Sequence, residues 1–285
     1  MKRFAIIYDK TEYYSYMVRA MCEALRDLGQ EAMGFYRDDP YETFQPTDVF
    51  SINIKRQYLK DIHKARYHIW VQDMPPIGER DFKFDRVWMM VDRWRRPGHD
   101  EDGYLPPGTD YGKFYGQKPP IRYDVCLSGF LPLTPNDHRF IRTVLGSHLV
   151  DICDRNGWKL RFVGDNWVHH PAFAKYAEPS VSPGQALADR YLWSRINIHQ
   201  NEDTHIHPRV LECFACGGFC VGLENGHERD LEGDMRYLPI AGWTGLEGFL
   251  FRHLNGEAEP KRTSEHLSKY IRENYTWKKA LERIL

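Results

Sequence analysis

Cysteine is scarce in this chain, with six among 285 residues. That is too few for a disulfide scaffold, and the expected location is the cytoplasm, where thiols stay reduced. Long apolar runs are also lacking. None approaches the roughly 20 residues that a membrane-spanning helix needs. The opening run Met1-Lys2-Arg3-Phe4-Ala5-Ile6-Ile7-Tyr8 is ended by Asp9, Lys10 and Glu12, well short of a signal-peptide core. Neither sign of charge is in excess. Lys+Arg is 39 against Asp+Glu 40, a net charge of −1, whereas a chain built to coat a polyanion is strongly basic. The first strand is not followed by G-x-G-x-x-G, the turn being Tyr8-Asp9-Lys10-Thr11-Glu12, which argues against a standard NAD dehydrogenase. No repeat recurs at a fixed short period.

What is present is an ordinary globular composition, 42% hydrophobic and 28% charged. At roughly 150 residues per domain the length suggests two domains. Strand-like and helix-like segments alternate. Phe4–Tyr8, Glu31–Tyr36, Val49–Asn53, Tyr67–Val71 and Val87–Val91 read as strands, with helices over Glu12–Leu28 and Lys55–Ala65. Chain breakers crowd residues 93–121: Pro97-Gly98, Pro106-Pro107-Gly108 and Pro119-Pro120. Alternation then restarts, with strands at Tyr123–Gly129, Trp158–Val163, Ile196–His199, Phe219–Val221 and Met235–Ile240. Helices are expected at Pro135–Arg155, Pro183–Arg195, His207–Cys216, Gly245–Leu254 and Thr276–Leu285. Such alternation implies crossover units and parallel sheets.

The densest chemical signal is Ser194-Arg195-Ile196-Asn197-Ile198-His199, a polar loop, and then Pro208-Arg209-Val210-Leu211-Glu212-Cys213-Phe214-Ala215-Cys216-Gly217-Gly218. A strand ends at His199, and a helix starts near Pro208, a residue suited to a first turn. A helix start offers free N–H groups and a positive dipole end, both of which favour a phosphate. Arg209 adds a fixed cation there. Glu212, one turn on, has the acceptors to hold both hydroxyls of a ribose. Gly217-Gly218 ends the helix and lets the next strand follow closely. Packing of a helix on a sheet accounts for Val210, Leu211, Phe214 and Ala215, but not for Arg209 and Glu212. The cluster Cys213, Cys216 and Cys220, with His199, His205 and His207 nearby, has the residue types of a metal site. The helical spacing reads instead as a buried face, so no metal is expected.

At this point the chain resembles the spore-maturation CgeB-like branch of the group 1 glycosyltransferases. "SRINIHQ", "HPRVLECFACGGFCVG" and the closing "IRENYTWKKALERIL" carry the likeness, with "YHIWVQDMPP", "YLPPGTDYGKF", "YDVCLSGF" and "LRFVGDNW" more loosely. The resemblance implies a GT-B-like α/β fold of two Rossmann-like domains, their parallel sheets facing a cleft. Residues 1–115 would form the acceptor-side domain and 116–270 the nucleotide-sugar donor domain, with 271–285 returning toward the first. It implies transfer of a hexose or pentose from a nucleotide-sugar donor, with no cofactor and no protein-bound metal. Glu212 matches the family's ribose-binding glutamate and Arg209 the arginine before it. The donor-side set is Gly129, His199, Arg209, Glu212, Gly217 and Gly218. Asp73 and Arg209 are the candidate catalytic residues. Many group 1 enzymes carry a second glutamate eight positions before the first; here that position is Thr204, with Glu202 and Asp203 out of register. This departure suits either an enzyme of this branch or a non-catalytic sugar-nucleotide or glycan-binding protein on the same scaffold.

Two further features have two readings each. Asp73 ends a buried strand before Pro75, where it either orients an acceptor hydroxyl or caps a turn. Arg139 and Arg142, after the loop at Gly129, either face a diphosphate or are solvated. The acceptor stays open: glycan, protein, small molecule or DNA base. Arg93, Arg95 and Arg96 around Trp94 are the feature that bears on DNA.

Overall fold

A computed structural model describes residues 1–54, 58–71, 84–90, 103–117, 119–132, 141–200, 204–256 and 258–285. The chain divides into two compact units, Met1–Asp110 with Asn274–Leu285, and Tyr111–Glu273.

The first unit holds six parallel strands: β1 (Arg3–Tyr8), β2 (Glu31–Tyr36), β3 (Asp48–Ile52), β4 (Arg66–Val71), β5 (Arg86–Met89) and β6 (Gly103–Tyr104), in the order β2-β1-β3-β4-β5-β6. Helix α1 (Glu12–Asp27) crosses from β1 to β2. Thr11 starts it, its hydroxyl accepting the Tyr14 N–H at 3.1 Å. The helix stops at Gly29, whose φ of +76° only glycine adopts readily. Its buried stripe, including Met17, Met21 and Leu25, packs on Phe4, Ile6, Phe50 and Trp70 of the sheet. The last helix, α7 (Trp277–Leu281), inserts Trp277, Ala280 and Leu281 into the same core. The opposite sheet face buries Ala5, Ile7, Tyr41, Val49 and Tyr67.

The helix expected over Lys55–Ala65 is not formed by residues 58–65. Two tyrosine hydroxyls bind that backbone instead. The Lys60 N–H donates to Tyr41 Oη and the Ile62 N–H to Tyr67 Oη, each at 2.6 Å. Tyr67 Oη then donates to the Lys60 carbonyl at 2.7 Å. With its donors and acceptors met from the core, the segment gains nothing from coiling.

The second unit holds β7 (Tyr123–Ser128), β8 (Leu160–Val163), β9 (Ala177–Glu178), β10 (Ser194–His199), β11 (Cys220–Leu223) and β12 (Ile240–Ala241), all parallel, in the order β12-β11-β10-β7-β8-β9. Its helices are α2 (Ile141–Asn156), α3 (Gln185–Leu192), α4 (Pro208–Cys216), α5 (Leu246–Asn255) and α6 (Ala258–Asn274). The strand expected over Met235–Ile240 is a tight turn, Gly233–Tyr237, followed by the two-residue β12. The Met235 N–H turns back to the Glu232 carbonyl at 3.0 Å and the Leu238 N–H to the Met235 carbonyl at 2.9 Å, and Pro239 has no N–H to pair. Helix α6 has few apolar residues. The face it buries is half hydroxyl, Ser264 and Ser268 beside Leu267 and Ile271. Among the described residues no helix is long and apolar enough to cross a membrane.

Candidate functional site

The second sheet reverses its winding between β7 and β10. In open parallel sheets the crevice at the carboxyl ends of two such strands is where ligands bind, because the two following loops diverge there. The register sets Ile198 of β10 beside Leu127 of β7, and His199 beside Gly222 of β11. The loop after β7 therefore begins at Gly129, next to the loop that leads from β10 into α4.

Two arginines from different elements converge on this crevice. A Cβ built on Gly129 would lie 3.1 Å from Arg209 Nη1 and 3.3 Å from Arg142 Nη1. Gly129 also has a φ of +145°. Any other residue would be strained there and would push both guanidinium groups aside. Arg142, on α2, is buried at 6% exposure. It donates through Nε to Gln200 Oε1 at 3.1 Å and through Nη1 to the Phe130 carbonyl at 3.4 Å. These bonds to the two loops fix the guanidinium at the crevice. Arg209, in the first turn of α4, forms no ion pair among the described residues.

The start of α4 differs from the sequence expectation. Free N–H groups are not offered in its first turn. Pro208 has none, the Arg209 N–H donates to His207 Nδ1 at 3.2 Å, and the Val210 N–H turns back to the His207 carbonyl at 3.0 Å. The helix dipole remains, but the first-turn N–H groups of α4 are already taken. His207, unremarked in the sequence as a cap, is the N-cap residue. Because Nδ1 accepts, the neutral ring carries its proton on Nε2.

His199, at the end of β10, has its ring centroid 4.6 Å from that of His207. It is 3% exposed, and its Nε2 has no hydrogen-bond partner among the described residues. Burial, then the charges of His207, Arg209 and Arg142, hold His199 neutral, well below the usual imidazole range. His205 has a carboxylate partner, Glu228, at 3.5 Å. Backbone N–H groups of Asn225 and Gly226 also bind Glu228, and its pKa is lowered to about 2.

Glu212, 5% exposed, accepts a hydrogen bond from Tyr191 Oη at 3.0 Å. Burial and the Glu212 charge push the Tyr191 phenol well above its usual range, so it stays a donor. Tyr111 packs edge-on against Tyr191, with centroids 6.4 Å apart. Thr204, where many group 1 enzymes have a glutamate, is buried and accepts the Ile206 N–H at 3.0 Å.

Gly217 and Gly218 are not brought to this crevice. They sit past the far end of α4, where Gly217 at φ +98° caps the helix. A Cβ on Gly218 would meet Cys213 Sγ at 2.7 Å, and Ser264 Oγ donates to the carbonyls of both glycines, at 3.1 and 2.8 Å. Cys213, Cys216 and Cys220 are buried thiols. Cys216 Sγ donates to the Cys213 carbonyl at 3.1 Å, and burial pushes its pKa up to about 12. Asp73, Arg139, the 93–96 patch, Glu202 and Asp203 lie outside the described residues. The structure thus brings Gly129, His199 and Arg209 together with Arg142, Gln200 and His207, while Glu212 lies one turn further along α4, against Tyr191 of α3.

No protein-family model and no curated protein matches this chain in sequence. Solved structures do match in fold. A sucrose-phosphate synthase from Thermosynechococcus elongatus superposes with a TM-score of 0.68 at 11% identity, covering 100% of this chain and 97% of that one. HepE from Anabaena, in complex with UDP and glucose, gives 0.66 at 9% identity over 100% and 98%. A DNA-modifying β-glucosyltransferase gives 0.64 at 11% identity over 99% and 98%. The fold shared with these proteins is GT-B, two parallel six-stranded sheets with interleaved helices.

Proposed function

We propose that this chain is a glycosyltransferase of the CgeB-like kind, moving a hexose or pentose from a nucleotide-sugar donor held by the Tyr111–Glu273 unit. The observation that carries the reading is the convergence of Arg142 and Arg209 on Gly129 at the β7–β10 crevice. Two guanidinium groups beside a bare glycine match the size, charge and hydrogen-bonding pattern of a diphosphate. Negative charge grows on the leaving diphosphate as the sugar bond breaks. A fixed cation is therefore worth more in the transition state than in the ground state. The guanidinium groups and the dipole of α4 are the charges that would replace a metal ion in this scheme. Glu212 would accept the ribose hydroxyls, held by Tyr191. Asp73 is retained as the acceptor-side base on its sequence context alone. UDP and glucose bound to HepE make UDP-sugars the first donors to try. The acceptor is proposed only as a class: a hydroxyl on a glycan, protein or small molecule, or on a modified DNA base. The six buried free thiols support a reducing compartment, and we place the protein in the cytoplasm.

A thermal-shift screen against UDP-, dTDP-, GDP- and ADP-sugars tests the donor site, because a bound ligand stabilises by mass action. Release of nucleoside diphosphate in the same samples tests the enzyme reading. Binding with no release, with or without candidate acceptors, would favour a non-catalytic binder, the role that Thr204 in place of a glutamate also suits. A screen in which no sugar nucleotide raises the melting temperature would reject the donor site.

A further inference from the structure

We propose, resting on the donor-site reading above, that the His199–His207 pair takes up one proton from solvent when a nucleotide-diphosphate sugar binds at the β7–β10 crevice. Donor binding is then strengthened by acid, and the new imidazolium faces the leaving diphosphate as a third cation beside Arg142 and Arg209.

The geometry has three parts. The two rings lie 4.6 Å apart, centroid to centroid, at the end of β10 and the cap of α4. One nitrogen of the pair, His199 Nε2, is buried without a hydrogen-bond partner among the described residues. A second, His207 Nδ1, is taken by the Arg209 N–H, so the His207 tautomer is set by the fold. The groups acting on His199 are His207 and Arg209 at the start of α4, Arg142 from α2, and His205 from the loop between β10 and α4. Each is cationic or becomes so on protonation. His205 is apart from the pair in having its own carboxylate, Glu228.

In the free protein these neighbours and burial keep both rings neutral, His207 as well as His199. A nucleotide sugar carries two diphosphate charges that do not titrate between about pH 5 and 9. Set against Arg142 and Arg209, those charges offset the cations that repel a proton from the pair, and a nearby opposite charge raises an imidazole pKa. The proton comes from solvent onto one ring nitrogen and returns when the diphosphate leaves; no covalent bond changes.

The sign follows from linkage. If one proton is bound with the ligand, the Kd rises up to about tenfold per pH unit between the free and the bound imidazole pKa. The free value lies well below 6.5, so the steep part of the curve begins on the acid side of neutrality.

The test is calorimetric titration of the full chain with UDP-glucose near pH 6, in buffers of different ionisation enthalpy. UDP-glucose is used rather than UDP because UDP's terminal phosphate titrates in this range. The expected result is uptake of about one proton per UDP-glucose, falling toward zero near pH 8. His199→Gln together with His207→Asn should abolish the uptake that accompanies whatever UDP-glucose binding the variant keeps. Asparagine keeps an acceptor for the Arg209 N–H and so keeps the cap. Binding without proton uptake in the native chain would overturn the proposal and leave the donor site standing, and this arm needs no variant to fold. Uptake that persists in the double variant would overturn it too. If UDP-glucose and every donor in the thermal screen fail to bind, the donor site and the proton linkage fall together.

Discussion

Gly129 is the position where the least side-chain volume matters most. Alanine there would set a methyl 3.1 Å from Arg209 Nη1 and 3.3 Å from Arg142 Nη1, on a backbone at φ +145°. Gly129→Ala is expected to weaken UDP-glucose binding at least about tenfold, read by calorimetry, because charge-assisted bonds of roughly 1.5–3 kcal/mol depend on that geometry. Arg209 and Glu212 should separate by what they touch. Arg209→Ala should lower the rate of nucleoside diphosphate release more than it weakens donor binding, since its cation is worth most as the diphosphate leaves. Glu212→Ala should mainly weaken donor binding, by about ten- to a hundredfold. It also strips the buried Tyr191 hydroxyl of its acceptor, at a cost of about 1–3 kcal/mol in unfolding free energy. Donor affinity unchanged in a folded Glu212→Ala protein would remove Glu212 from the site.

Helix α4 performs different tasks at its two ends. Its start carries the cap and the cation, while its end is a joint. There the Ser264 hydroxyl of α6 serves the Gly217 and Gly218 carbonyls, and Gly218 passes within a methyl's width of Cys213 Sγ. Gly218→Ala and Ser264→Ala should therefore destabilise the Tyr111–Glu273 unit, each by about 1–3 kcal/mol in denaturant unfolding. Neither should change UDP-glucose affinity in the protein that remains folded. A selective loss of affinity in Gly218→Ala would instead return the glycine pair to the donor site. The sequence pairs these glycines with Arg209 because they share one motif. The helix between them is what separates their roles.

At the scale of the molecule, the N- and C-terminal segments of the chain meet in one core. Trp277 stands edge-on to Trp70, centroids 5.6 Å apart, and Leu281 and Ile284 join α1 and the first sheet. Trp277→Ala should cost about 3–5 kcal/mol, the range for a large aromatic removed from a core, and the loss should appear in the unfolding of the first unit. A second expectation concerns acid. Burial lowers the pKa of His199, His205 and His207 in the folded chain. The unfolded chain then binds more protons below about pH 6.5, so stability falls as pH drops through that value toward the lower folded pKa values. The melting temperature should be level above neutrality and fall between about pH 6.5 and 5, with a shallower fall in His199→Gln.

Much of this architecture is legible in local sequence, because strand and helix periods and chain breakers are local properties. The apolar run Phe4–Tyr8, the stripe from Met17 to Leu25, and the Pro208 start and Gly217 stop of α4 each follow from neighbouring residues alone. So does the pairing of Arg209 with Glu212 one turn apart. Where a segment's partners are distant, the sequence is silent. Residues 58–65 stay uncoiled because Tyr41 and Tyr67 take their backbone groups, and α6 is held through serines that carry no apolar signal. The site divides the same way. Sequence alone placed a cation and a carboxylate on one helix. Only the parallel sheet, by reversing its winding between β7 and β10, brought Arg142 from 67 positions upstream to the same glycine, turned His207 into the cap, and left His199 buried beside it. Strand order is a long-range property, set by which apolar faces pack together, and no window of adjacent residues encodes it.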